Sequence, residues 1–529
     1  LLLAAAVLTA VAWNRGAEYD EQYTLFLTAG TARPIWPDTA FPAGFVIQTQ
    51  SGHASFAAIA SDLRRTDVHP PLYFWAAAAW RWVFGSGLFA VRLLSVLCGL
   101  GSLTAVGIIA RRSGIVPWLA MLLTLGCYGF AYTAGIARGF ALAEMLLLWG
   151  VVCFLSGRRG WAGALFGAAV LSNYLAVFVA LAVLCGRVTT GVCRGVRWGM
   201  NASFLDAIAQ TRHADAGRHP RLVPQSVEKS WLPTCVGMTE KGQRLPRIME
   251  HRCLQVFPAL GSWIGFCAFL ALALWFFVAQ KGSRTGQFPP FELFPALGRI
   301  ARYGAANLTG GLPLYVPDAA RPFVSAILAI GLCLIAFHAR RSRGLLLRAA
   351  IATPLGLLAL GAVFDNTPIE LRYLSFSVPF VALMVAGAVR RRPWALGAVL
   401  FVQTLSIAGL IVRPETMQPA KATAAAAVAM GGADLVLLPR GNDGVGTVGA
   451  FAREAPPDVK LLVIGPYETP DSIRARTAGF RRIVLATIAA DTDSKTAIPA
   501  MRAAFAGPDW RPMAFGFNIA LYERVVHGD

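Results

Sequence analysis

The strongest constraint on this chain is the recurrence of apolar runs separated by short polar connections, at residues 1–13, 88–110, 115–131, 140–155, 162–174, 175–185, 256–279, 322–337, 345–364, 374–389 and 394–412. A helix must be about 20 apolar residues long to cross a hydrocarbon core of roughly 30 Å, and in lipid its backbone polar groups must pair within the helix. The expected fold class is therefore a polytopic all-α membrane protein with about 11 transmembrane helices over residues 1–412. Several runs are short, so the stretches around residues 128–138 and 172–174 read equally well as half-buried hairpins. Run 1–13, about 20 Å as a helix, reads as the remainder of a first membrane helix rather than a signal peptide, since no small-x-small cleavage site follows it.

The basic residues define an orientation. Arg111-Arg112, Arg158-Arg159, the cluster from Arg187 to Arg197, Arg340-Arg341 with Arg343, and Arg390-Arg391-Arg392 fall on alternate connections. Short cytoplasmic loops collect Lys and Arg, which places these turns inside and both residues 14–87 and everything beyond residue 412 outside. The formal net charge of +20 resides in such clusters and not on one amphipathic face, so no nucleic acid is expected as a partner. The partner is the lipid bilayer.

Two stretches depart from the membrane pattern. Residues 186–255 are polar, carry eleven Lys/Arg against five Asp/Glu, and include a segment, 219–242, similar to translated bacterial repeat elements. They read as an inserted, cytoplasmic basic segment without a catalytic role, with anionic-lipid binding as the rival reading. Residues 413–529 have the composition of a small soluble α/β domain, with β-type runs at 433–439, 460–465, 482–487 and 518–524 between helical stretches at 420–430, 470–478 and 497–505. The nine cysteines show no CxxC and no metal spacing, so no structural disulfide is expected.

Chemistry concentrates in the first outer loop. Asp20-Glu21 follows the first apolar run, where a carboxylate could serve as general base or simply belong to an interfacial polar loop. Asp67-Val68-His69-Pro70-Pro71-Leu72-Tyr73 holds an acid and an imidazole stiffly at the mouth of a helix, because two prolines force extended backbone. Such a pair could bind a divalent cation (Mg or Mn) or a phosphate oxygen, or it could merely mark a helix start. Arg138 and Arg372 lie in short outward turns, and a guanidinium fork suits phosphate oxygens, although each could equally snorkel at the interface. Tyr373 beside Arg372 could stack on a sugar or an isoprenoid. Glu144, an intramembrane carboxylate, reads equally as a functional candidate or as a neutral structural acid and stays outside the catalytic set, and Asn173-Tyr174 reads as a structural turn. Gly444-x-Gly446-x-x-Gly449 matches the letters of a dinucleotide fingerprint but lacks its strand-to-helix context, so a flexible loop is expected there.

The order of these features resembles the GT-C membrane glycosyltransferases of the protein O-mannosyltransferase and aminoarabinose-transferase superfamily. The resemblance rests on an acidic pair after helix one, a loop of some fifty residues, D-x-H-P-P-L-Y, and a helix descending to an Arg pair. Leu72-Tyr73-Phe74-Trp75, Phe84-Gly85 and Ala90-Val91-Arg92-Leu93-Leu94-Ser95 continue it, over roughly residues 13–185 and more loosely 257–412. It implies a GT-C type fold in a bacterial inner membrane, with the active site on the periplasmic face. It also implies a polyprenyl-phosphate-linked sugar as donor, an unknown acceptor, and an inverting transfer of a hexosyl or pentosyl group. Carried over by position, Asp20 matches the catalytic acid, Glu21 its acidic neighbour, and Asp67 and His69 the proline-flanked element. Where those enzymes place a lysine after the prolines this chain has Phe74, so the phosphate contact is expected from Arg138 and Arg372. The rival functional reading is a lipid-linked sugar flippase, in which the arginines hold phosphate in transit and the carboxylates couple protons.

Overall fold

The computed structural model describes residues 1–186, 248–280, 288–339, 344–390, 392–413, 419–430, 432–488 and 491–525. Most of the basic segment expected at 186–255 lies outside these residues, as do Arg187 to Arg197, Arg340, Arg341, Arg343 and Arg391.

After α1 (Leu2–Asn14), the first loop is no plain loop. It folds as α2 (Tyr19–Ala29), a short strand β1 (Phe41–Pro42), α3 (Ala43–Thr49), α4 (Phe56–Thr66) and α5 (Leu72–Phe84). Glu18 N donates to Glu21 Oε2 (3.0 Å) to start α2, and Gly30, at φ 89°, ends it in the left-handed region that glycine tolerates.

The helical body follows as α6 (Leu88–Arg112), α7 (Pro117–Leu125), α8 (Tyr128–Ala134), α9 (Phe140–Leu155), α10 (Arg159–Ser172) and α11 (Ala176–Gly186). It continues with α12 (Ile248–Ala279), α13 (Leu293–Leu308), α14 (Leu312–Tyr315), α15 (Arg321–Ala339), α16 (Gly344–Phe364), a 3-10 turn (Leu371–Ser377), α17 (Val378–Val389) and α18 (Pro393–Val412). Among the described residues five helices are long and apolar enough to cross a bilayer: Leu88–Arg112, Gly261–Ala279, Gly344–Phe364, Leu371–Val389 and Pro393–Val412. The run expected as one span at 115–131 breaks at Gly126-Cys127 into α7 and α8, neither long enough alone. The sequence reading also passed over α13, whose apolar residues recur at helical spacing; Ala296, Ala305 and Ala306 face inward while Leu293, Phe294 and Leu297 face out.

Three basic turns gather on one face. Arg112 Nη1 donates to Ser156 Oγ (2.5 Å) and Arg390 Nη1 to Gly114 O (3.3 Å), joining the turns after α6, α9 and α17. Exposed Trp118, Trp161 and Trp394 start the helices that leave those turns, as expected where indole rings sit at a lipid interface. The first loop and the turns before α9 and α17 lie at the opposite ends of the same helices.

The C-terminal residues form β2 (Leu435–Pro439), β3 (Lys460–Ile464), β4 (Arg482–Ala486), β5 (Trp510–Gly516) and β6 (Ile519–Arg524), with α19 (Ala420–Ala429), α20 (Gly446–Glu454), α21 (Pro470–Arg476) and α22 (Thr492–Ala504). Strand order is β1-β3-β2-β4-β6-β5, with β2 parallel to β3 and β4, and β6 antiparallel to β4 and β5. Alternation along β2 sends Leu435 and Leu437 to one face, packed with Ile473 and Met501, and Val436 and Leu438 to the other. That second face is covered by Val448 and Phe451 of α20 together with Phe26, Trp36 and Val46 of the first loop. The first loop also completes the sheet, since Phe41 and Pro42 pair with Leu461 and Lys460. Residues 413–529 therefore share a core with residues 14–87.

This pairing fixes a parity. Residues 42 and 460 lie on one side of the membrane, so the chain crosses an even number of times between them. The five candidate spans all fall in that interval and are odd in number, so if each of them crosses, a further crossing lies within the same interval.

Candidate active site

Asp20 and Glu21 are adjacent in the first turn of α2, yet they face different partners. Glu21 is fully buried and accepts from Arg92 Nε (2.7 Å), Arg92 Nη2 (2.5 Å) and Ala137 N (2.7 Å). Arg92 spends its remaining donors on the carbonyls of Ala12, Arg15 and Gly16, which end α1. Glu21, expected beside Asp20 in the catalytic pair, has every acceptor direction occupied and no access to a substrate. It is a structural clamp, because a buried carboxylate is stable only with its charge and lone pairs matched.

Asp20 faces the opposite way, into a chain of alternating charge. Its Oδ2 is in contact with Arg372 Nη1, and Oδ1 lies 4.0 Å from Arg138 Nη2. Arg138 Nη2 stands 3.2 Å from His69 Nε2, and His69 Nδ1 is 3.1 Å from Asp67 Oδ1. A proton on His69 Nδ1 satisfies both contacts, with Nε2 accepting from the arginine. At the other end Arg372 Nη2 lies 2.5 Å from Glu370 Oε2, out of hydrogen-bond alignment. Asp67, His69, Arg138, Asp20, Arg372 and Glu370 thus form one continuous line. Burial acts to raise the Asp67 carboxyl, but His69 and Arg138 hold it below the usual carboxylate range. Burial pushes Glu370 up to about 7, against the pull of Arg138.

Each turn in the line is held by backbone anchors. Ala137 is fixed at its N–H by Glu21 and at its carbonyl by Thr24 Oγ1 (2.9 Å), which places Arg138 over α2. Gly139 has no room for a side chain: a Cβ would lie 2.7 Å from Ser172 O and 3.1 Å from Tyr73 Cβ. Leu371 O accepts from Asn307 Nδ2 of α13 (2.7 Å), which steadies Arg372. Gln280, buried just past α12, donates to Leu63 O (3.0 Å) and His69 O (2.8 Å) and accepts from Tyr174 (2.9 Å). Phe74, standing where the resembling family has a lysine, lies 6.0 Å from the Arg138 guanidinium and forms an apolar wall beneath it. Tyr373 stacks on Phe140 (6.2 Å) with the Arg372 guanidinium 5.5 Å from its ring.

The expected residues Asp20, Asp67, His69, Arg138, Arg372 and Tyr373 are thus brought together. Glu370, Gln280 and the Arg92 clamp were not singled out from sequence; the acid-x-arginine spacing of Glu370 and Arg372 was the available signal for the first. Arg138 Nη1 and Asp67 Oδ2 are buried without a hydrogen-bond partner among the described residues, a donor and an acceptor left over at the center of the site. A divalent cation fits Asp67 and His69 poorly. Asp67 Oδ1 is taken by Val68 N (2.6 Å) and His69, the Arg138 guanidinium occupies the outer side of the imidazole, and no group of three potential ligands exists among the described residues. What the line offers is one carboxylate between two guanidiniums, suited to a base acting beside a bound oxyanion.

No family model matches the chain, and no curated protein does. Among solved structures it is similar to ArnT from Cupriavidus metallidurans bound to undecaprenyl phosphate, at 15% identity and a TM-score of 0.41 over 99% of this chain and 97% of that one. The apo state of the same ArnT gives 13% and 0.40 with the same coverage. The arabinofuranosyltransferase AftD from Mycobacteria gives 14% and 0.39, over 99% of this chain and 40% of that one.

Proposed function

We propose that this protein is a membrane glycosyltransferase that moves a hexosyl or pentosyl group from a polyprenyl-phosphate donor to an acceptor hydroxyl. The carrying observation is Asp20 set between Arg372 and Arg138, at the ends of the helices away from the basic turns. With that basic face taken as cytoplasmic, the site opens on the outer side of a bacterial inner membrane, where lipid-phosphate sugars can serve as donors and nucleotide sugars are absent. An even number of crossings between residues 42 and 460, which their pairing in one sheet demands, keeps residues 14–87 and 413–529 on that side together.

In this reading Asp20 accepts the acceptor's hydroxyl proton as the oxygen attacks the anomeric carbon. The bond from that carbon to the phosphate oxygen breaks with inversion, and the leaving lipid phosphate keeps the electron pair. Arg138 and Arg372 balance the charge gathering on it, with Arg138 Nη1 as an unspent donor. Tyr373 and Phe140 offer an aromatic wall to the sugar or the isoprenoid. No metal step is required. A test is transfer from a panel of tritiated undecaprenyl-phosphate hexoses and pentoses to acceptors in membrane vesicles, wild type against Asp20→Asn. Label should leave the donor only with wild type; equal release by the variant would remove Asp20 as base, and label crossing the bilayer untransferred would favor the flippase.

A further inference from the structure

Gly446 and Gly449 of the fingerprint-like stretch form no slack loop: they lie in α20, where the C-terminal residues close onto the helix that carries Asp20. Gly446 and Gly449 lie three apart on α20 and face α2. A Cβ at Gly446 would stand 2.3 Å from Tyr19 Cδ2, and one at Gly449 would stand 2.9 Å from Gln22 Cγ. Tyr19 and Gln22 flank the acidic pair, so α20 packs on the same turn that presents Asp20. Polar ties surround the contact. Tyr19 OH donates to Asp491 Oδ2 (2.8 Å), which also accepts from Asn442 N (2.9 Å), and Ala17 N donates to Glu454 Oε1 (2.6 Å). Gln22 Oε1 accepts from Gln50 Nε2 (2.9 Å), whose Oε1 accepts from Arg453 Nε (2.7 Å). Trp36 Nε1 reaches Gly444 O (2.6 Å).

The first turn of α2 is therefore gripped by the membrane body through Glu21 and by the C-terminal domain through Tyr19 and Gln22, which leaves Asp20 as the acid facing the arginines. We propose that the C-terminal α/β domain is a working part of the active site, with Gly446, Gly449, Tyr19 and Asp491 as positioning residues for Asp20. This rests on the transferase reading. Misplacing a reacting group by about 1 Å can cost on the order of 100-fold in rate, so the domain need not touch substrate to control turnover.

The experiment compares wild type, Gly446→Ala, Tyr19→Phe, Tyr19→Ala, the Gly446→Ala/Tyr19→Ala double variant and Asp20→Asn. Readouts are transfer kinetics with the donor of the panel that turns over, binding of undecaprenyl phosphate, and amide hydrogen exchange over residues 17–24. Gly446→Ala should lower kcat about 10-fold or more with KM and undecaprenyl phosphate binding within about 2-fold, and should speed exchange in that segment. Tyr19→Phe, which keeps the ring and loses the tie to Asp491, should fold normally and lose about 3-fold in kcat. The double variant should match Tyr19→Ala alone, because the ring carbons that meet the added Cβ are gone. Full kcat in Gly446→Ala and Tyr19→Phe while Asp20→Asn is inactive would overturn the inference alone, as would unchanged exchange or simple additivity. An active Asp20→Asn would instead overturn the base assignment on which it rests.

Discussion

Arg92 and Glu21 form a buried, two-pronged ion pair whose oxygens also receive Ala137 N, so a helix of the membrane body, the start of α2 and the Arg138 turn meet at one carboxylate. Removing half of such a pair strands the other charge, at a cost of about 3–5 kcal/mol. Glu21→Gln should therefore lower the yield of folded protein and its Tm in detergent by more than Asp20→Asn does, since the Asp20 side chain is 18% exposed and water offsets part of its lost charge, whereas the Glu21 side chain is wholly buried. Thermal unfolding of the two purified variants checks this, and equal Tm losses would show that the neighboring acids are not divided in role.

Arg138 and Arg372 should be separable from Asp20 by binding alone. Each is expected to meet lipid phosphate with a planar fork, which lysine cannot reproduce. Arg138→Lys should weaken undecaprenyl phosphate binding about 10-fold, the scale of one charge-assisted hydrogen bond of roughly 1.5–3 kcal/mol. Asp20→Asn should leave binding intact or tighten it, since it removes a competing anion. Titration calorimetry in detergent reads both effects; unaltered affinity in Arg138→Lys would place the phosphate elsewhere.

Glu370 gives a pH signature with a defined sign. Burial moves its carboxyl from 4.5 up to about 7 in the folded protein, so between those values the folded state holds a proton that the unfolded chain releases. Stability then falls as pH rises through that window, because the unfolded state binds fewer protons. Glu370→Gln should flatten the fall between pH 5 and pH 8 relative to wild type. Above pH about 7 the ionized Glu370 also competes for Arg372, so undecaprenyl phosphate binding should drop more steeply with pH in wild type than in the variant. Parallel curves in both measurements would show that Glu370 does not titrate there.

Gln280 ties the His69 backbone to α4 and to Tyr174 through one amide group. Gln280→Leu keeps the volume but removes the donor that reaches the Leu63 and His69 carbonyls, of which Leu63 O still accepts from Asp67 N, so the cost is about 0.5–1.5 kcal/mol for each bond lost. The Asp67–His69 segment should loosen, visible as faster amide exchange over residues 63–72 and lower transfer, while the Arg92 clamp stays protected. Loss confined to stability, with exchange in that segment unchanged, would remove Gln280 from the site.

Asp20, Asp67, His69, Arg138 and Arg372 were legible because a charge beside lipid demands a partner and because two prolines announce a stiff turn. Nothing in a D-E pair tells which acid turns inward; that depends on Arg92, more than seventy positions away. The strands at 435–439, 460–464 and 482–486 followed from local β-pattern, whereas β1, two residues in a proline-rich loop, owes its place wholly to pairing with β3. The glycines at 446 and 449 were read as slack for the same reason: their use is a close approach to Tyr19 and Gln22, a contact between segments over four hundred residues apart.

The same pairing turns topology into a sharp test. Phe41 opposite Leu461 requires both segments to occupy one side of the membrane, and the gathered arginines at 111–112, 158 and 390 mark the other side. A reporter fused after Val412 and one inserted in the 30–40 loop should score alike, both periplasmic, and a reporter in the turn at 156–158 should score cytoplasmic. Opposite scores for the first two cannot coexist with a β1–β3 ladder, since a strand pair does not span a bilayer. Matched cytoplasmic scores would keep the fold but place the site inside the cell, where a nucleotide-linked donor would compete with a lipid-linked one. The orientation experiment thus tests the donor class as directly as it tests the helix count.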